Sequence, residues 1–167
     1  MPPNADPDLV RRTVDSPVGP LVLVASSTGL RAIDFGVRPG RSAIPDGESA
    51  VLDEAEHQLA EYFAGERQVF DLPLEPEGTP FQKAVWQVLH SIPYGQTISY
   101  GEQARRLGDA KKARAVGGAN GRNPLPIVVP CHRVIGASGA LTGFGGGVPI
   151  KESLLRLERE GASCVSR

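Results

Sequence analysis

The strongest constraint on the fold is a change of character at Glu75-Pro76-Glu77-Gly78, near the middle of the 167-residue chain. Residues 1–77 hold six Lys and Arg against fourteen Asp and Glu, a net charge of −8, whereas residues 78–167 hold twelve against five, a net charge of +7. A boundary of this kind between oppositely charged halves predicts two domains, at residues 1–78 and 79–167. The basic half is the one expected to meet a polyanion, with nucleic acid the leading candidate and a merely dipolar enzyme the alternative.

The first half has the pattern of a small α/β domain. Two β-prone runs, Pro20–Ala25 and Leu30–Phe35, flank a short turn of Ser, Thr and Gly and predict an antiparallel hairpin. Apolar residues at helical spacing predict an amphipathic helix over Ser49–Ala64, with Gly65 at its C-terminal cap. A further strand is expected over Val69–Leu74.

The second half is predicted to be helical. Capping boxes predict helices that begin at Thr79 and Ser99, and the second of these should end at Gly108. A third helix is expected over Asp109–Asn120, and a last one over about Pro149–Glu160. The apolar stripe of the last helix is predicted to be Ile150, Leu154 and Leu157. Two short helices joined by a turn at a glycine, the second of them basic at its start, predict a helix-turn-helix.

The third of these helices is unusual because nearly all of its residues are small. Around the long side chain of Arg114 lie Ala113, Ala115, Gly117, Gly118 and Ala119. Two glycines lower helix stability, so a flat surface of this kind calls for an explanation. Close packing against another helix is one interpretation, and close approach to a DNA groove is the other. The residues alone leave both open.

A candidate nucleophile follows a branched apolar run. Residues 127–129 precede Pro130-Cys131-His132, which would bring Cys131 to the edge of a packed core beside an imidazole that can hold it as a thiolate. Glu158 lies on the apolar side of the last helix, where a lone charge is costly, and His132 is its natural partner. The three residues match a nucleophile, a base and an orienting acid, whereas an inert buried cysteine is the alternative.

No metal, cofactor or structural disulfide is expected. The chain has two cysteines, Cys131 and Cys164, and three histidines, and no pair among them has the spacing of zinc ligands. The first residues carry no basic-then-apolar leader, and no apolar run reaches the roughly 20 residues of a membrane span. We therefore expect a cytoplasmic protein without a membrane partner.

Five segments together resemble the O6-alkylguanine-DNA alkyltransferases. They are Ile92–Tyr100, Ala113–Ala119, Asn123-Pro124, Pro130–Gly136 and Gly143–Gly147. The resemblance runs from Phe81 to Glu158, and Asp15–Leu21 and Leu59–Gly65 extend it into the first half. It implies an α/β (α+β) fold, with a ribonuclease H-like N-terminal sheet domain and a helical, winged-helix-like C-terminal domain. The helix-turn-helix would enter the minor groove of double-stranded DNA without sequence preference, and the protein would act as a monomer, with clustering on DNA left open.

The resemblance also assigns chemical roles. Cys131 would accept the alkyl group of O6-alkylguanine in a single irreversible transfer, with repair of O4-methylthymine left open. His132 would deprotonate the thiol through a water, Glu158 would orient His132, and Asn123 would brace the turn before the cysteine. Tyr100 would donate a proton toward N3 of a guanine flipped out of the duplex. The other implied contacts with the flipped base or DNA are Arg114, which would fill the vacated space, and Val134, Phe144, Gly145, Ala113, Gly117, Gly118 and Asn120.

The chain departs from the family pattern at three places. Many members carry tyrosine at the position of Phe144, and some carry a larger apolar residue at the position of Asn120. The N-terminal zinc site of some members has no candidate ligands here. Two other functions remain as alternatives. One is a non-catalytic lesion-binding protein, against which Cys131 argues, and the other is a thiol hydrolase with an incidental basic surface, which turnover of ordinary esters or amides would distinguish.

Overall fold

The computed structural model describes residues 8–36, 41, 43–141 and 144–165, without the side chains of residues 163–165. The chain divides into two compact units, Met1–Glu77 and Gly78–Arg167. The first contains a small antiparallel sheet with one helix, and the second is mainly helical. This is the mixed α/β class that the sequence predicts.

The sheet of the first unit has three antiparallel strands in the order β1 (Val10–Val14), β2 (Leu21–Ala25) and β3 (Leu30–Phe35). The predicted hairpin is confirmed, with Leu23 opposite Ile33. Every residue of β2 is buried, because this strand has a neighbour on each side. Strand β1 was not foreseen, since Arg11-Arg12-Thr13 interrupts the apolar residues on which strand prediction depends.

Helix α1 (Ala50–Phe63) confirms the predicted amphipathic helix. The Ser49 side chain accepts from the backbone N–H groups of Val51 and Leu52, and Gly65 follows the helix with φ +77°. A residue with a positive φ just after a helix is commonly glycine, because a Cβ disfavours that conformation. The buried face holds Leu52, Ala55, Gln58, Leu59 and Tyr62.

The prediction of a strand over Val69–Leu74 is wrong. Only Leu74 pairs with the sheet, in an isolated parallel bridge to Leu30. The backbone N–H and carbonyl of Asp71 bond instead to the Gln58 side chain at 2.8 and 2.9 Å. Because Pro73 lacks an N–H, the segment also cannot form a continuous ladder.

The helices of the second unit follow the capping signals closely. Helix α2 (Pro80–Leu89) begins with the predicted capping box between Thr79 and Gln82. Helix α3 (Tyr100–Leu107) ends at Gly108, which has φ +112°. At Ser99 only half of the predicted box forms, because its hydroxyl accepts from the Glu102 backbone while the Glu102 carboxylate pairs with arginines of its own helix.

The third predicted helix is divided in two. Asp109 caps a short 3-10 turn, Ala110–Lys112, and helix α4 (Ala113–Gly121) follows it. Val116, Ala119 and Asn120 face the interior, and Trp86 of α2 donates to the Ala119 carbonyl at 2.8 Å. Helices α3 and α4, joined through Gly108, form the predicted helix-turn-helix.

The last helix, α5 (Val148–Val165), is longer than predicted, and its buried face is rotated. The sequence predicts that Ile150, Leu154 and Leu157 form its apolar stripe. Among the α5 residues whose side chains the structure describes, the buried ones are Lys151, Leu154, Leu155 and Glu158. Their spacing is that of one helix face, but two of the four are charged, so apolar periodicity alone could not find it.

Two short strands complete the second unit. Strand β4 (Ile98–Ser99) pairs in parallel with β5 (Val134–Ile135). Because Tyr100 directly follows β4 and residues 131–133 directly precede β5, the pairing joins two segments that the sequence separates by about thirty positions. Among the described residues, no helix is both long and apolar enough to cross a membrane.

Candidate active site

Cys131 opens a 3-10 turn, Cys131–Arg133, between a buried apolar segment and β5. Residues 125–130 are all buried, as the branched apolar run predicts. The cysteine is 6% exposed, and its backbone N–H donates to the Val129 carbonyl at 2.8 Å. The thiol is therefore held just inside the surface of the second unit.

The turn that precedes the cysteine is tied by the side chain of Asn123. Its Nδ2 donates to the Val129 carbonyl at 2.8 Å, and its Oδ1 accepts from the Leu125 N–H at 2.9 Å. Within this turn Ile127 has φ +76°, which is rare for a β-branched residue and costs of order 1–3 kcal/mol. A strained backbone here persists because the Asn123 bonds and the burial of Ile127 hold it.

His132 and Glu158 form the predicted pair. The His132 Nε2 atom lies 2.6 Å from Glu158 Oε2, and both side chains are buried. The other ring nitrogen, Nδ1, is buried without a hydrogen-bond partner among the described residues. An imidazole held in this way has one nitrogen fixed by the carboxylate and the other free to take a proton.

Arg133 is a second partner of Glu158 that we did not predict. Its Nε donates to Oε1 at 2.7 Å and its NH2 donates to Oε2 at 3.1 Å, which is a two-pronged ion pair. Its NH1 donates to the Ile92 carbonyl at 2.7 Å, and its guanidinium lies 5.7 Å from the centre of the Tyr94 ring. The buried carboxylate thus faces a guanidinium as well as an imidazole.

Lys151 is another buried cation that the sequence analysis missed. Its side chain is 1% exposed, and its Nζ donates to the Val134 carbonyl at 2.6 Å. The same ammonium lies 5.8 Å from the centre of the Tyr100 ring. Lys151 is therefore positioned among the residues that flank the thiol.

The resting thiol is protonated, which corrects the expectation of a thiolate. Burial raises the pKa of Cys131 from 9.0 to about 11, against smaller opposing effects from an Asn123 hydrogen bond and the charge of Lys151. No hydrogen bond joins this thiol to the His132 imidazole in the described structure. Adjacency in sequence suggested such contact, but the 3-10 turn directs the His132 ring toward α5.

Glu158 is ionised and His132 is neutral. Burial raises the pKa of Glu158, but the hydrogen bond with His132 and the ion pair with Arg133 outweigh this and hold the pKa below its usual value. Burial lowers the pKa of His132, and the charges of Arg133 and Lys151 act in the same direction, against the effect of Glu158. A neutral imidazole beside a carboxylate is the form that can accept a proton.

The exposed side of α4 carries the residues predicted to face DNA. Arg114 and Gly118 are exposed, and Ala113 and Gly117 are partly so. A Cβ at Gly118 would meet nothing within 4 Å, whereas one at Gly117 would lie 3.6 Å from the Tyr100 ring. The smallness of α4 therefore leaves an open surface at one glycine and admits ordinary side-chain contact at the other.

The remaining predicted pocket residues lie in different surroundings. Phe144 and Gly145 belong to the loop before α5, and a Cβ at Gly145 would lie 3.7 Å from the Gly121 carbonyl at the end of α4. The Val134 carbonyl already accepts from Lys151. Asn120 is buried and exchanges two hydrogen bonds with Gln103, at 2.7 and 3.0 Å, so the structure accounts for it without a substrate. Its role at the pocket stays a prediction.

Matches to known proteins cover nearly the whole chain. Residues 9–76 match the model of the 6-O-methylguanine DNA methyltransferase ribonuclease-like domain, and residues 80–160 match that of the DNA-binding domain of the same family. The chain belongs to this family. It is 50% identical to the methylated-DNA--protein-cysteine methyltransferase of Methanosarcina acetivorans over 147 residues, covering 86% of this chain and 94% of that protein.

Two further relatives extend the agreement. The methylated-DNA--protein-cysteine methyltransferase of Mycolicibacterium paratuberculosis is 52% identical over 151 residues, 89% of this chain and 91% of its own. The crystal structure of Mycobacterium tuberculosis OGT in complex with DNA superposes with a TM-score of 0.85 at 48% identity, covering 90% of this chain and 93% of that one. The second unit of this methyltransferase-family chain is thus a DNA-binding domain.

Arg133 and Lys151 are buried cations of the candidate site that the sequence of this family member did not lead us to predict. Arg133 was visible as part of the Cys-His-Arg motif, but nothing in one sequence distinguishes a buried arginine from an exposed one. Lys151 had a usable signal, since it lies seven positions before Glu158 and so on the same face of a helix. Within the described residues, no three His, Cys, Asp or Glu side chains come together to hold a metal.

Proposed function

We propose that this protein repairs DNA by moving the alkyl group of O6-alkylguanine onto Cys131, once per molecule. The proposal rests on a buried thiol, Cys131, that directly precedes the hydrogen-bonded His132 and Glu158 pair. The chain is also about 50% identical to named methylated-DNA--protein-cysteine methyltransferases. The Cys131 sulfur attacks the alkyl carbon, the bond from that carbon to O6 breaks, and its electron pair stays on the guanine. The thiol proton leaves through His132, and the guanine gains a proton.

The first step is activation of a thiol that is neutral at rest. His132 Nδ1 takes the Cys131 proton through a bridging water, because the structure contains no direct hydrogen bond between the two side chains and Nδ1 is otherwise unpartnered. Glu158 holds the ring and stabilises the imidazolium that forms. Asn123 contributes by tying the turn before the thiol through its bond to the Val129 carbonyl, and its side chain also lowers the pKa of Cys131.

Leaving-group activation and base capture are assigned to the neighbouring elements. Tyr100, next to β4 and close to Lys151, donates toward N3 of the guanine so that it leaves more readily. The base lies against Phe144, with backbone groups of Cys131, Val134 and Gly145 as its hydrogen-bond partners. Repair of O4-methylthymine by the same site is left open.

Access to a base in duplex DNA requires extrusion, at a cost of a few kcal/mol. We assign to Arg114 the space that the base leaves, because it is the exposed long side chain on a helix of small residues. Ala113, Gly117 and Gly118 then allow the α4 backbone to approach the minor groove. Phosphate contacts from the basic unit make binding independent of sequence and weaker at high salt.

The protein is proposed to bind as a monomer, with clustering along DNA left open, and to use no cofactor. The cytoplasmic location expected from the sequence is part of the same proposal. Sedimentation on duplexes of increasing length, with the bound stoichiometry fitted at each length, distinguishes single from cooperative binding.

The direct test uses a duplex with one O6-methylguanine whose methyl group is labelled. We expect the label to move to the wild-type protein and to the Cys164→Ser control, and the Cys131→Ser variant to bind the duplex without accepting label. Label that stays on DNA with folded wild-type protein would refute alkyl transfer and leave lesion binding. Continued cleavage of ordinary thiol-hydrolase esters would favour the hydrolase instead.

A further inference from the structure

The Glu158 carboxylate is surrounded by donors on both oxygens. Oε1 accepts from Arg133 Nε at 2.7 Å and from the Gly95 N–H at 3.4 Å, while Oε2 accepts from Arg133 NH2 at 3.1 Å and lies 2.6 Å from His132 Nε2. A carboxylate with this many donors is ionised and can only accept. The His132 nitrogen that faces it must therefore carry the hydrogen.

We propose that Arg133 is a positioning residue of the transfer reaction, which fixes Glu158 as a pure acceptor and so sets His132 in the tautomer with its proton on Nε2. The bare Nδ1 is then the atom that takes the thiol proton of Cys131. The proposal rests on the proposed function for its chemical consequence, but the tautomer itself is a property of the free protein.

The contacts of Arg133 suit it to this task. The guanidinium fork is held at its other end by the Ile92 carbonyl and covered by the Tyr94 ring, so it cannot turn away from Glu158. A lysine would supply the charge without the fork. Without any cation, burial would favour a protonated Glu158, which would donate to Nε2 and leave the hydrogen of a neutral ring on Nδ1.

Arg133 also sets the proton affinity of the pair. The charged groups that face His132 and Glu158 are Arg133 beside them and Lys151 from the same helix as Glu158, and the titratable ones are Cys131 and Tyr94. Removing a positive charge makes the pair bind a proton more tightly. An imidazole that is already protonated cannot act as base, so the acidic limb of the pH–rate profile should move to higher pH.

The test compares Arg133→Met, Arg133→Lys and the control Arg156→Met, which removes an arginine of α5 whose pair with Glu152 is exposed. Two quantities are measured. One is the 15N spectrum of the His132 ring in the free protein, which reports the tautomer. The other is the single-transfer rate with free O6-benzylguanine between about pH 5 and 9.

Wild type and Arg156→Met should show a pyrrole-type Nε2 and a pyridine-type Nδ1. Arg133→Met should show a mixture of tautomers, and its acidic limb should move upward by about one pH unit, a ten-fold loss of rate on that limb. Arg133→Lys should keep the wild-type limb, because the charge remains, and lose several-fold in the plateau rate, because the fork is gone. A purely structural role would lower the amount of folded protein without moving the limb.

A wild-type proton on Nδ1 would overturn the proposal, and so would an Arg133→Met protein with the wild-type spectrum and limb. If Arg133→Met does not fold, Arg133→Lys decides: a wild-type plateau rate contradicts the role of the fork. The 15N measurement needs no substrate. Suppose that each protein shows the tautomer or mixture expected for it, but that none of them, wild type included, transfers an alkyl group. The proposed function then fails, while the role of Arg133 in setting the tautomer stands.

Discussion

The surroundings of Cys131 and the exposed side of α4 are built in opposite ways. Around the thiol, His132, Arg133, Glu158 and Lys151 are buried and bonded to one another or to the backbone. On α4, Arg114 is exposed among residues with almost no side chain. The groups proposed for chemistry are therefore also structural, whereas the group proposed for base extrusion is not.

This difference has an energetic consequence. Removing one member of a buried ion pair leaves the other charge without a partner in a poorly solvated place, which is strongly destabilising. Removing an exposed side chain changes stability little. Substitutions near the thiol should therefore affect folding and reaction together, and those on α4 should affect only reaction on duplex DNA.

The largest effect is expected for Glu158→Gln. The neutral amide cannot compensate the Arg133 guanidinium, so the free energy of unfolding should fall by about 3–5 kcal/mol, as measured by urea denaturation. Glu152→Gln is the matched control on the same helix, where the exposed pair with Arg156 is worth about 0.5 kcal/mol or less. Equal losses in the two variants would remove the contrast between buried and exposed pairs.

The buried thiol predicts a loss of stability in alkali. Because burial raises the pKa of Cys131 from 9.0 to about 11, the unfolded chain releases this proton first as the pH rises. Stability should therefore fall between these two values, by up to about 3 kcal/mol for a shift of about two units. Unfolding of wild type and Cys131→Ala at about pH 8 and pH 10.5 checks this, and the same pH dependence in both would refute it.

On α4, Arg114→Ala should leave the free energy of unfolding unchanged and slow repair of duplex DNA by about ten-fold, equivalent to about 1.4 kcal/mol of lost compensation for base extrusion. The rate with free O6-benzylguanine should not change, because a free base needs no extrusion. Arg105→Ala, an exposed arginine of α3 paired with Glu102, is the control. Equal losses on both substrates would remove Arg114 from this role.

The smallest effect is expected at Lys111, an exposed residue of the turn before α4. If it contacts a phosphate, Lys111→Ala should weaken duplex binding on every sequence alike and reduce the slope of log affinity against log salt by about one. Fluorescence anisotropy at several salt concentrations measures this slope. An unchanged slope would exclude Lys111 from the phosphate contacts.

Local signals in the sequence were enough for much of the fold. The Thr79 capping box, the glycines at helix ends and the alternation of apolar runs with turns predict α1, α2, α3 and the β2–β3 hairpin. These features depend on neighbouring residues, which one sequence contains. The Val69–Leu74 segment failed because the distant Gln58 side chain takes the backbone groups of Asp71.

Only part of the candidate site could be predicted from the sequence, because some of its residues are buried by contacts that form only on folding. Glu158 was found because a carboxylate on an apolar face needs a partner, and His132 was the distinctive choice. Arg133 and Lys151 escaped because their burial depends on Ile92, Tyr94 and Val134, which the chain brings near only after folding. The protonation state of Cys131 likewise depends on enclosure, which the motif itself does not reveal.

Cys131 is proposed to be consumed by one transfer, since an alkyl thioether is stable and no second nucleophile is proposed to cleave it. The most direct measurement is peptide mass spectrometry after reaction with an excess of duplex containing O6-methylguanine. We predict one methyl group per protein, on the peptide that contains Cys131 and not on the one that contains Cys164, with repair stopping at one lesion per molecule. Repeated turnover, or a methyl group on Cys164, would refute a single transfer to Cys131.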